Sequence, residues 1–193
     1  VTKSELTQTL EGRAYTPQQA ELIASAQTPH NALATEIAHA AGLRAHELLT
    51  LCPVAERAAD PRPALVFKRE GRSGEIYTVQ GKGGLTREVM IPHELAARLE
   101  ERRLDAPQVV TDRGVFYQSS YDIGGGQRWS NSVSAASERT MGRSTGAHGL
   151  RHSYAQERMT ELQNRGLSRD AALETVSQEM GHFRPEITET YLR

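Results

Sequence analysis

The sequence predicts an α+β fold, mainly α-helical, with one small three-stranded antiparallel sheet. Two patterns carry that expectation. Helix starts and stops with clear caps fill both ends of the chain, and between 64 and 91 the periodicity changes to short alternating runs bounded by glycine. Bulk composition agrees. The chain has 193 residues, 37% of them hydrophobic and 24% charged, enough for one buried core and too apolar for a disordered polymer.

Residues 1 to 15 show no periodicity and read as a linker. Thr16-Pro17-Gln18-Gln19 is a helix start, with Thr as cap, Pro at the first helical position and Gln at the third, and the helix is expected to reach about Gln27. A second helix begins near Asn31, carries Leu33, Ile37 and Ala40/Ala41 on one face, and stops at Gly42. Leu43 to Leu51 reads as a short helix that buries Leu48 and Leu51 and leaves Arg44 and Glu47 one turn apart. Three strands follow: Ala64–Lys68, Glu75–Val79 and Arg87–Ile91. Gln80-Gly81-Lys82-Gly83-Gly84 is the hairpin turn between the last two, with Lys82 at its tip. A charged amphipathic helix spans 93–103, Asp122–Gln127 is a glycine-rich loop, and Ser130 caps a helix to about Arg139. Beyond the loop Gly142–Gly146, a helix opens at His148 and runs to about Asn164. Ser168 starts another that reaches Met180, and Pro185 opens a last short one carrying Tyr191.

Composition narrows the function classes. The net charge of -1 argues against a general nucleic-acid binder but leaves room for a local basic cleft. The single Cys52, between Leu51 and Pro53, excludes an internal disulfide, fits a reducing compartment and reads as a small core residue. No apolar run is long enough to span a bilayer. The start lacks both a signal-peptide pattern and an initiator Met, so the sequence reads as a piece of a longer protein.

His148-Gly149-Leu150-Arg151-His152 carries the most chemistry. His148 and Arg151 share one helix face; arginine offers a planar fork of donors suited to phosphate, and the histidine adds another. Taken singly, each candidate has a plainer explanation. Arg44 pairs with Glu47 on a surface, Lys82 solubilises a turn, His182 favours a helix C-terminus, and Tyr191 packs. His148 and His152 also have metal-ligand spacing, but no third ligand or general-base carboxylate is evident. Arg44, Lys82, His148, Arg151, His182 and Tyr191 together, in that order, are what phosphoryl transfer to a tyrosine needs.

At this point the chain resembles a known family. Gly42-Leu43-Arg44-Ala45-His46-Glu47-Leu48 is similar to the first box of the tyrosine recombinases, the phage-integrase family. Gln80-Gly81-Lys82-Gly83-Gly84 with Arg87 and Ile91-Pro92 resembles its lysine hairpin, and His148-Gly149-Leu150-Arg151-His152, Met180-Gly181-His182 and Tyr191 resemble its second box. The resemblance covers roughly 31–193 and implies a catalytic domain over 16–193, with 1–15 a linker from an absent N-terminal DNA-clamping domain. Two departures stand out. Arg151 and His182 lie 31 residues apart, longer than the family pattern, with Gln163-Asn164-Arg165-Gly166 the place for the extra turn. The sequence also stops at Arg193, just past Tyr191, where the family continues into a tail that docks on a neighbouring subunit.

The resemblance implies a site-specific recombinase or integrase that cuts and rejoins double-stranded DNA through a 3′-phosphotyrosyl link, within a synaptic tetramer of like subunits. It further implies a cytoplasmic setting in a bacterium or phage, with no membrane, cofactor or metal. Tyr191 is then the nucleophile, and Arg44 and Arg151 hold the non-bridging oxygens. His148 and His182 add donors there, with His148 a candidate to accept the tyrosine proton. Lys82 protonates the departing 5′-oxygen, and Glu47 orients Arg44 or a nearby histidine. A type IB topoisomerase uses the same residue types, and a non-catalytic DNA-binding module is the alternative of a different class.

Overall fold

The computed structural model describes residues 12–81, 83–182 and 184–193. The observed architecture is α+β, as the sequence predicts. The chain opens with α1 (Pro17–Ser25) and α2 (Pro29–Ala41). The α1 cap is reciprocal: Gln19 N–H donates to Thr16 Oγ1 at 3.1 Å and Thr16 N–H donates to Gln19 Oε1 at 2.9 Å. Gly42 ends α2 at φ 69°, where a Cβ would lie 2.7 Å from the Tyr154 ring. The close approach swings the chain at once into Leu43-Arg44. The short helix expected from Leu43 tightens into a single 3-10 turn, Glu47–Thr50, with all four of its residues buried.

The three-stranded sheet exists, but one of its strands is not the one the sequence suggested. Its order is β1 (Cys52–Pro53), β2 (Glu75–Gln80), β3 (Thr86–Ile91), all antiparallel, with Glu75 opposite Ile91 and Gln80 opposite Thr86. Ala64–Lys68 is not a strand. Val66 is 91% exposed, so the run buries no alternating face, and Arg69 at φ 64° turns the chain back. Side chains of a later helix satisfy this backbone instead. Leu65 N–H donates to Gln178 Oε1 at 2.7 Å and Arg69 N–H to Glu179 Oε2 at 2.8 Å. Sheet pairing of that run would leave these two side chains to find other partners.

After β3, α3 (His93–Glu100) leads to a second, two-stranded sheet that the sequence reading did not contain: β4 (Arg103–Asp112) and β5 (Val115–Tyr121). Asp112 faces Val115, so Arg113-Gly114 is a two-residue turn with φ of 49° and 77°, the mirror-image type that matches strand twist. Four helices follow: α4 (Gly126–Met141), α5 (His148–Asn164), α6 (Arg169–Glu179) and α7 (Pro185–Glu189), and the 3-10 turn Thr190–Leu192 closes the chain. Helix α4 begins earlier than Ser130 because its cap comes from outside: Gln127 N–H donates to Asp112 Oδ1 at 2.8 Å. The 31-residue separation of Arg151 and His182 is taken up by α5, a turn at Arg165–Ser168 and α6.

The main core packs α1, α2, α4 and the start of α5 against the three-stranded sheet, with Ile23, Ile37, Val79, Ile91 and Leu150 fully buried. A smaller core joins the rest of α5 to α6. Tyr15, inside the stretch read as linker, is 4% exposed; its N–H donates to Ser153 Oγ at 2.8 Å and its hydroxyl to Gly146 O at 2.9 Å. Among the described residues no helix is long and apolar enough to cross a membrane.

Candidate active site

Glu47 is the anchor. It is fully buried, and three arginines from three elements converge on it. Arg87 of β3 donates from Nε to Oε2 at 3.0 Å and from Nη2 to Oε1 at 2.9 Å, the two-pronged geometry that arginine and carboxylate prefer. Arg44 lies with Nη1 3.6 Å from Oε2, and its backbone N–H donates to Oε1 at 2.8 Å. Arg151 of α5 has Nη1 3.9 Å from Oε1. Burial works against the charge on Glu47, yet the Arg87, Arg151 and Arg44 guanidiniums overcome it and hold its pKa at about 2. Glu47 is therefore a permanent anion that fixes where the arginines sit. It accepts from the Arg44 backbone N–H and holds the Arg87 guanidinium by two hydrogen bonds.

Arg151 is 1% exposed and fully engaged at its tip. Nη1 donates to the Gly42 carbonyl, and Nη2 donates to His182 Nε2 at 3.1 Å. Its Nε is buried with no hydrogen-bond partner among the described residues, a donor left over. Burial, and then the neighbouring charge of Arg44, lower its pKa to about 10, so it remains cationic.

His182 follows α6 after Gly181, whose φ of 80° turns the chain against the Arg87 side chain. Because His182 Nε2 accepts from Arg151, its proton is assigned to Nδ1, which donates to Thr188 Oγ1 at 2.7 Å; Thr188 in turn pairs with Ser177 Oγ at 2.7 Å. Burial first, then the charges of Arg151, Arg44 and Arg87, push its pKa down to about 3. His182 is thus neutral, and in this arrangement both nitrogens serve Arg151 and α7 rather than pointing a donor outward. His148, at the start of α5, is likewise held below the ordinary histidine value by burial and then by Arg151 and Arg44.

Arg44, Arg87, His148 and Arg151 line one open cleft of about 560 Å³, walled also by Gly81 and by Arg113 from the β4–β5 turn. Lys82 itself lies outside the described residues; its neighbour Gly81 sits on the cleft wall. Tyr191 is not on that wall. Its ring lies over the Arg151 guanidinium, 5.1 Å from Cζ to centroid, and stacks on His182 at 5.4 Å and 23°. His152 closes the other side at 5.0 Å. Thus His148 and His152, despite their spacing, serve different places, and among the described residues no group of three His, Cys, Asp or Glu residues could hold a metal ion.

A solved structure shares this architecture. The XerH site-specific recombinase, in a pre-cleavage complex bound to its difH substrate, is similar to this chain with a TM-score of 0.55 and 19% sequence identity, over 95% of this chain and 52% of that one. The fold is that of a tyrosine recombinase. This chain spans about half the length of that recombinase. No family model and no curated protein matches the sequence.

Within the tyrosine recombinase fold, sequence reasoning named the cleft arginines of the two boxes but gave no role to Arg87 or Arg113. Arg87 was visible as a charge in a strand run, Thr86-Arg87-Glu88-Val89, and its 7% exposure marks it as inward-facing. Arg113 had a signal too: Arg-Gly between Val109-Val110-Thr111 and Val115-Phe116-Tyr117 is a hairpin turn between β-favouring runs.

Proposed function

We infer that this chain is a site-specific recombinase that cuts and rejoins DNA strands through a 3′-phosphotyrosyl intermediate. The observation that supports it best is the meeting of Arg44, His148 and Arg151 on one cleft, with the Tyr191 ring held against the Arg151 guanidinium. The substrate is double-stranded DNA, and like subunits assemble around it as a synaptic tetramer.

The chemistry follows from the groups present. Arg44 and Arg151, both on the cleft wall, hold the non-bridging oxygens of the scissile phosphodiester. The Tyr191 oxygen attacks phosphorus, the bond to the 5′-oxygen breaks, and the phosphate becomes an ester of the tyrosine. His148, neutral because burial and the arginines disfavour its charge, accepts the tyrosine proton. Lys82, next in sequence after Gly81, supplies a proton to the 5′-oxygen. His182 is a positioning residue: its Nε2 accepts a hydrogen bond from Arg151 Nη2, and it ties that arginine to α7. The phosphotyrosyl link keeps the energy of the diester, so rejoining runs the same steps backward. To reach phosphorus, Tyr191 leaves its seat on His182.

The test is a nicked duplex whose cut strand releases a short fragment, read on a denaturing gel. The wild-type chain should give a slower-migrating covalent adduct and Tyr191→Phe none. Failure of wild type to form any adduct across duplex sequences and salt would reject the reading. Sequence-independent relaxation of supercoils by the monomer would point to a topoisomerase instead.

A further inference from the structure

The β4–β5 hairpin brings a charge to the cleft that neither box of the sequence accounts for. Arg113 stands at the first central position of a turn that needs positive φ, and it adopts φ 49°. Glycine, asparagine or aspartate fill that position at low cost; an arginine there is strained unless something holds it. Two contacts hold it. On one side, Asp112 caps α4 through Gln127 N–H at 2.8 Å and lies so close that a Cβ on Gly126 would meet its carboxyl at 2.5 Å. On the other, Arg113 Nη2 donates to Gln127 Oε1. The tip of the hairpin is thereby pinned to the N-terminal end of α4. Arg113 stays exposed on the same cleft as Arg44, His148 and Arg151, near enough that its charge is among those that disfavour protonation of His148.

The cleft is wider than one phosphate needs. Arg44 and Arg151 are tied to Glu47, while Arg113 approaches from a different element and pairs with no carboxylate among the described residues. Duplex DNA offers a row of phosphates, so a cation set apart from the scissile cradle meets a neighbour of the scissile phosphate. We propose that Arg113 is a DNA-binding residue that grips a phosphate flanking the scissile one and fixes the register of the strand in the cleft. This rests on the inferred recombinase reading.

The experiment uses the full chain with nicked duplexes in which single phosphates around the nick are replaced by uncharged methylphosphonate. Wild type should lose affinity at the scissile position and at one flanking position. Arg113→Gln should weaken binding roughly tenfold, lower the salt slope by about one phosphate contact, and become indifferent to methylphosphonate at that flanking position alone. Arg113→Lys should keep the salt slope, and Arg113→Gly, which relaxes the turn, should behave as Arg113→Gln while folding normally. Arg44→Gln should instead become indifferent at the scissile position. If Arg113→Gln leaves the slope and the interference map unchanged while wild type still forms adducts, the Arg113 assignment is wrong and the recombinase reading stands. If wild type neither binds DNA nor forms adducts, both fall.

Discussion

At the scale of single residues, Glu47 is the position on which most depends. Its carboxylate neutralises charge among buried or half-buried guanidiniums, and among the described residues Arg87 pairs with no other carboxylate. Removing one partner of a buried pair leaves the other uncompensated, at a cost of about 3–5 kcal/mol. Glu47→Gln should therefore lower the free energy of unfolding by that order, measured by urea titration, and should displace Arg87 before Arg44, which is 32% exposed and can reach water. His182 gives a second, pH-resolved test. Its pKa is about 3 in the folded chain against an ordinary 6.5, so below pH 6.5 the unfolded chain takes up a proton that the folded one refuses. Stability from this group is fully present above 6.5 and falls, by up to roughly 1.4 kcal/mol per pH unit, as pH drops toward 3. His148 and His152 are shifted the same way, and Glu47 adds its own loss below its ordinary 4.5. Urea midpoints at pH 7, 6, 5 and 4 should decline steadily, and His182→Gln should flatten the slope between 6.5 and 4.5. An unchanged slope would mean that the His182 ring takes up a proton while folded.

At the scale of elements, legibility in the sequence followed whether the physics was local. The α1 start was readable because its capping box is written in four consecutive residues, and the α2 end because Gly42 is the residue that tolerates its φ. The failures were tertiary. Val66 and Phe67 look like strand residues, but the amides around them are claimed by Gln178 and Glu179, more than 100 residues away. Helix α4 was placed too late because its cap, Asp112, belongs to another element. Most of the candidate site was readable as residue types in order. What no sequence pattern gave was that Tyr191 would lie on His182 and Arg151, or that His182 would spend both nitrogens within the protein. The Asp112 link makes its own prediction: Asp112→Ala should cost about 1 kcal/mol, the usual worth of a helix cap. It should also free the hairpin tip, seen as faster amide exchange at Gln127 and Arg113 together. Phe116, 75% exposed on β5, should by contrast be replaceable by Ser with little loss of stability.

At the scale of the whole molecule, a chain of net charge -1 presents arginines from four segments to one cleft. Among the described residues Glu47 is the one acidic side chain lining that cleft, so the positive charge there is local. Affinity for duplex DNA should fall steeply with salt, with several phosphate contacts in the slope. Fluorescence anisotropy between 50 and 200 mM salt reads this directly, and binding insensitive to salt over that range would show that the cleft is not where DNA sits.

The convergence on Glu47 has a further consequence. One carboxylate shared by Arg44, Arg87 and Arg151 leaves two positive charges in excess, and the histidines beside them add none. A phosphodiester carries one negative charge, and under the proposed tyrosine attack the five-coordinate species carries about two. If the proposed reaction holds, the local charge suits the fleeting species better than the resting substrate, the condition under which binding becomes rate rather than mere grip. A five-coordinate vanadate bridging Tyr191 and a 5′-hydroxyl carries the same added charge. It should leave this cleft more slowly than intact DNA, a difference that competition with unlabelled duplex would resolve.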